Sequence, residues 1–108
     1  MDELPTVLRA SLDAYAARLR ARFGDRVQVV ALFGSWARGE ATERSDVDVA
    51  VVIDRLSRDE WRAALADAVD FDADVALAPY VVSTSKWDEL RARRRRIARD
   101  IEHEGVRL

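Results

Sequence analysis

With 49% hydrophobic and 35% charged residues, the 108-residue chain is too apolar for a disordered segment, and its size suits one domain, 1–108. A formal net charge of −2 gives no general pull toward nucleic acid, so direct nucleic-acid binding is not expected, and no apolar run approaches a membrane span. The lack of cysteine excludes disulfides, zinc–thiolate sites and thiol nucleophiles; together with an acidic start, Met1–Pro5, unlike a secretory signal, it predicts a cytoplasmic protein.

Leu4, Leu8, Leu12, Tyr15, Leu19 and Phe23 recur at helical spacing, which predicts a helix from about residue 3 to 23, capped by Gly24. Val27, Val29, Val30, Ala31, Leu32 and Phe33 then read as a buried strand. At the sharp turn that follows, Gly34 lets the backbone approach a ligand without a Cβ in the way. Ser35 adds a hydroxyl beside backbone amides at the start of a short helix, a place that suits a polyphosphate. Trp36 reads as a core or partner contact, and Glu40, Glu43 and Arg44 as solvated loop residues.

Val47–Ile53 predicts a second strand. Its alternation puts Asp46 and Asp48 on one face and Val47, Val49 and Val51 on the other. Two carboxylates side by side repel each other unless cations sit between them, and Mg²⁺ accepts such oxygens together with nucleotide phosphates.

Ser57 and Glu60 are spaced as a capping box that opens a helix with Trp61, Leu65 and Val69 on one side. Phe71–Val82 reads as a third strand in which Asp72 and Asp74 share a face opposite Val75 and Leu77. Pro79 marks a bend or an edge position. Ser85 and Asp88 begin a last helix, with Trp87, Leu90, Arg94, Ile97 and Ile101 at helical steps up to Gly105. Six arginines crowd into Arg91, Arg93, Arg94, Arg95, Arg96 and Arg99, which suits either a solvated helix face or an acidic or phosphate-rich ligand. His103, the only histidine, reads as a surface residue. The order predicts an α/β (α+β) fold: a small mixed β-sheet with helices packed on one face and the acids on the other.

Gly34-Ser35, ten residues and then Asp46-x-Asp48, with Ala37-Arg38-Gly39 after the serine and Val49–Val52 after the acids, resembles the minimal nucleotidyltransferases of the DNA polymerase β superfamily. The likeness runs from the first helix to Glu104–Leu108. It implies a polymerase-β-like core and a nucleotidyltransferase, a transferase that moves AMP from Mg-ATP to a hydroxyl, in this family a tyrosine of a cognate HEPN-domain ribonuclease toxin. The chain would then be the antitoxin of a toxin–antitoxin pair.

The resemblance also implies a third carboxylate on a later strand, for which Asp74 is favoured and Asp72 is the alternative. It implies two Mg²⁺ ions on Asp46, Asp48 and Asp74, and nucleotide binding by Gly34, Ser35 and Arg38. Antibiotic-modifying and nucleic-acid-modifying relatives carry a second domain for the acceptor, so one domain here favours a protein partner. A non-catalytic antitoxin that neutralises by binding, and an oligomer that modifies a small molecule, are the other readings.

Overall fold

The structure, a computed structural model, describes residues 4–42, 44–71 and 76–108. Helix α1 spans Thr6–Phe23 and buries Leu8, Leu12, Tyr15, Ala16, Leu19 and Phe23, the three-and-four spacing of an amphipathic helix. It stops at Gly24, whose φ of 59° is a conformation that side-chain-bearing residues avoid. A 3₁₀ turn, Gly24–Arg26, leads into β1, Val27–Phe33. There follow α2 (Ser35–Arg38), β2 (Val47–Ile53), α3 (Arg58–Val69), β3 (Leu77–Ser83), α4 (Thr84–Ala92), α5 (Arg96–Glu104) and β4 (Val106–Arg107).

The described strands form one mixed sheet in the order β3-β2-β1-β4. β1 runs antiparallel to β2 and β4, while β3 lies parallel to β2. A parallel neighbour needs a crossover, and α3 supplies it. Pro79 sits in β3 at the edge of the sheet, where a missing donor costs no ladder bond.

From Val49 to Ile53 both faces of β2 are buried, which is why that stretch reads as a continuous apolar run. Val47, Val49, Val51 and Ile53 pack with α1 and α3 residues, each fully buried side chain contributing about 1.5–3 kcal/mol. Ala50 and Val52 face the other way, under Trp87 and Leu90 of α4 and Ala98 and Ile101 of α5. The mixed α/β sheet is the expected one, and the helices of its first face are joined by a helical pair that covers part of the acids' face.

Besides β3, which begins at Leu77 and not at Phe71, a turn residue, and β4, which no sequence pattern announces, two elements differ from expectation. In α3 the inward residues are Ala64, Asp67 and Ala68, whereas Trp61 and Val69 are 40% and 70% exposed. Asp67 causes the rotation: its carboxylate, in a residue only 4% exposed, accepts two 2.8 Å bonds from Arg22 and a longer one from Arg18. Tyr15 fixes the same contact by donating its hydroxyl to the Ala64 carbonyl at 2.8 Å. The capping box is as expected, and Arg26 binds Glu60 through two 2.7 Å bonds. Those bonds, with help from Ser57, hold the Glu60 carboxyl down to about 2.

The predicted last helix is two helices. Ser83, not Ser85, caps α4 by accepting from the Lys86 amide. The chain then breaks at Arg93–Arg95, with Arg94 at φ 52°. An unbroken helix over 84–104 would run about 30 Å, past a seven-residue strand of about 23 Å, so the break lets α5 fold back over the sheet. Among the described residues no helix is long and apolar enough to cross a membrane.

Candidate active site

The antiparallel register of β1 and β2 places Phe33 opposite Asp48, so the turn after β1 meets the start of β2. Gly34 caps α2 with φ 77° and ψ −155°, a region essentially confined to glycine. A Cβ there would collide with the Asp48 carboxylate oxygen Oδ2. Glycine is therefore required twice at this position, by the backbone and by the carboxylate packed against it.

Ser35 opens α2, and its carbonyl accepts from the Glu40 amide at 2.9 Å. The first amides of so short a helix have no intrahelical partner and stay available to an anion. Trp36 packs against the main core and donates its indole N–H to the Ser45 carbonyl at 3.3 Å, pinning the residue before Asp46. Ser45 works on the loop as well, its hydroxyl accepting from the Thr42 amide at 2.9 Å. Glu40 and Arg44 are exposed, and Glu43 lies outside the described residues.

Asp46 is exposed and Asp48 half-buried. Burial raises the Asp48 pKa above the ordinary carboxylate value, the neighbouring charge of Asp46 raises it further, and Arg38 partly offsets both. Asp48 is thus held where ionisation is resisted, and a cation would relieve that resistance.

Arg38 stands at the end of α2 between two carboxylates, Glu40 and Glu104, each at 3.0 Å. The Glu104 contact joins residues 66 apart in sequence, and no local pattern announces it. It fastens the end of α5 to the site. His103 is exposed near that helix end, as expected of a surface residue.

Both candidates for the third carboxylate, Asp72 and Asp74, lie outside the described residues. Nearby, Ala78 pairs with Asp48, and the Val47 amide donates to the Ala76 carbonyl at 2.8 Å. Among the described residues no three His, Cys, Asp or Glu side chains gather as a metal site. The structure therefore brings Gly34, Asp48 and Arg38 together, sets Asp46 and Ser35 beside them in the chain, and leaves the third acid open.

Residues 12–106 match the model of the nucleotidyltransferase domain family. The chain belongs to that family. Over 49 residues the chain is 43% identical to the protein adenylyltransferase MntA of Thermococcus cleftensis, covering 45% of the chain and 48% of that protein. Over 54 residues it is 37% identical to the protein adenylyltransferase MntA of Shewanella oneidensis, covering 46% of the chain and 39% of that protein. The chain thus spans less than half the length of these two relatives.

Its fold is similar to that of a chain from a toxin–antitoxin crystal structure with AMP-PNP. The TM-score is 0.56 at 24% identity, covering 88% of the present chain and 70% of the other. At that identity the likeness is one of fold.

Proposed function

We propose that the protein is an antitoxin that transfers AMP from Mg-ATP to a hydroxyl of a partner protein, a tyrosine of a HEPN-domain ribonuclease toxin, in the cytoplasm. The observation that carries the reading is Asp48 lodged against Gly34 with Asp46 beside it, which joins a phosphate-accommodating turn to a carboxylate pair. The MntA relatives, named as protein adenylyltransferases, support AMP as the transferred group. The toxin–antitoxin structure of similar fold supports the partner.

Asp46 and Asp48, with Asp74 or Asp72 as third donor, would hold the Mg²⁺. The paired carboxylates, Asp46 exposed and Asp48 half-buried, fit a hard cation that prefers oxygen ligands. Bound there, Mg²⁺ would neutralise phosphate charge and favour loss of a proton from the attacking hydroxyl.

In the reaction the acceptor oxygen forms a bond to the α-phosphorus of ATP, the bond from that phosphorus to the bridging oxygen breaks, and pyrophosphate leaves with that electron pair. Gly34 keeps the turn open for the phosphates, while Ser35 and the first amides of α2 donate to them. Arg38 carries a charge that a phosphate can share once it displaces the exposed Glu40 carboxylate. The hydroxyl proton passes to a carboxylate of the acidic set.

Incubating the protein with the product of its neighbouring gene, Mg²⁺ and each of the four NTPs tests this by intact mass. AMP-sized additions to the neighbour, from ATP and absent with the Asp46→Ala/Asp48→Ala variant, are expected. A tight complex with no mass addition would sink the catalytic reading and leave neutralisation by binding alone.

A further inference from the structure

Among the described residues, two exposed features outside the site stand out: the stripe of Trp61 and Val69 on α3, beside the half-buried Leu65, and the arginines around the α4–α5 turn. The stripe belongs to a helix that packs on the Val47, Val49 and Val51 face of the sheet, so whatever covers it stands behind the acids. The arginines are on the acids' side. Ala50 and Val52, on the same face of β2 as Asp48, are buried by α4 and α5, and that apolar cluster extends to Phe33, the cross-strand partner of Asp48. The Arg38–Glu104 bridge ties one end of α5 to the site. Arg96, at the other end, is eight residues away, about 12 Å along the helix.

The six arginines are exposed but not equivalent. Arg91 pairs with Glu102, Arg93 with Glu89 and Arg96 with Asp100. Arg94, Arg95 and Arg99 have no ion pair among the described residues. Arg95 is the extended N-cap of α5, and its carbonyl accepts from the Arg99 amide at 3.2 Å, so the two residues are one turn apart, with Arg94 adjoining them in the chain. Three unpaired guanidinium groups therefore gather at one corner of a protein whose net charge is negative.

We propose that Arg94, Arg95 and Arg99 form the docking surface for an acidic face of the acceptor protein, holding its hydroxyl toward Asp46 and Asp48. The inference rests on the reading of the chain as a protein-modifying nucleotidyltransferase. Charge complementarity selects the occupant. Planar guanidinium forks match separate carboxylates in a bidentate way, whereas Asp88, Glu89, Asp100 and Glu102, spread over the same two helices, repel the continuous phosphate charge of a nucleic acid. Arg99 lies five residues before Glu104, about 8 Å along the helix, and Arg94 and Arg95 precede the helix, a spread that fits a macromolecule touching both places, with the nucleotide confined to the site.

The test uses a fluorescent random copolymer of glutamate and tyrosine as the acidic probe, a single-stranded RNA oligonucleotide as its competitor, and α,β-methylene ATP with Mg²⁺ as the site probe. Wild-type protein is expected to bind the copolymer in a salt-sensitive way. Arg94→Glu/Arg95→Glu/Arg99→Glu should weaken that binding about tenfold or more, with nucleotide affinity and thermal melt unchanged. Arg91→Glu/Arg93→Glu/Arg96→Glu, equal in charge change but drawn from the paired arginines, should weaken it less. Equal losses in the two triples, unchanged copolymer affinity in the first, or tighter binding of RNA would each overturn the proposal. Failure of the nucleotide to bind wild-type protein would instead overturn the enzymatic reading beneath it.

Discussion

Asp48→Asn is expected to abolish transfer, by about a thousandfold or more, while raising the melting temperature of the metal-free protein. The two effects have one origin. Burial and the charge of Asp46 lift the Asp48 pKa, so the ionised carboxylate is the form that folding disfavours, with Arg38 giving back only part. A carboxyl whose pKa rises on folding contributes stability below the unfolded value and loses that contribution as pH rises through the folded one. The metal-free wild type is therefore weakened by Asp48 at neutral pH, and asparagine removes the penalty. The stability gained by Asp48→Asn should be largest near pH 7 and shrink below the carboxylate range. Mg²⁺ should raise the wild-type melting temperature and leave that of the variant alone. Thermal melts at pH 7 and pH 3, with and without Mg²⁺, check this. A less stable variant at pH 7 would show that Asp48 supports the fold and is not held there against an electrostatic cost.

Gly34→Ala is expected to lose about a hundredfold or more in transfer and about 1–3 kcal/mol in stability. The backbone alone costs part of this, because φ 77° forces a Cβ into an unfavourable position. The rest comes from the new methyl, which displaces Asp48 Oδ2. Gly24 provides the control. It too has a positive φ, of 59°, but a Cβ there meets nothing within 4 Å. Gly24→Ala should thus cost stability for the backbone reason and leave transfer intact. Denaturant midpoints and transfer rates for the two variants separate strain from displacement, and equal activity losses would mean that the Gly34–Asp48 contact has no special role.

The parts of this structure that sequence made legible are those decided by neighbouring residues. The bounds of β1 and β2 follow from β-branched runs, the opening of α3 from the Ser57–Glu60 box, and the end of α1 from Gly24. What stayed hidden depends on distant partners. The face of α3 is set by Asp67, a buried acid that looks like a surface residue until Arg22, 45 positions earlier, is brought against it. The break between α4 and α5 is invisible because Leu90, Arg94, Ile97 and Ile101 keep helical spacing across it. β4 is two residues long, too short to carry a pattern.

The candidate site divides in the same way. Gly34, Ser35, Asp46 and Asp48 are linked by a single spacing along the chain. The Arg38 contact with Glu104 needs the whole sheet and α5 in place before the two can meet. The third carboxylate is a choice between Asp72 and Asp74, both outside the described residues, and two acids at one alternation step look alike in sequence.

The central claim is that the Gly34–Ser35 turn and the Asp46–Asp48 pair form one nucleotide site that needs a divalent cation. Calorimetric titration of α,β-methylene ATP, which cannot donate its α-phosphoryl group, tests it without any acceptor. Binding in the presence of Mg²⁺, lost with EDTA and lost in Asp46→Ala/Asp48→Ala, is the predicted result. Binding of equal strength without the metal, or in the double variant, would contradict it.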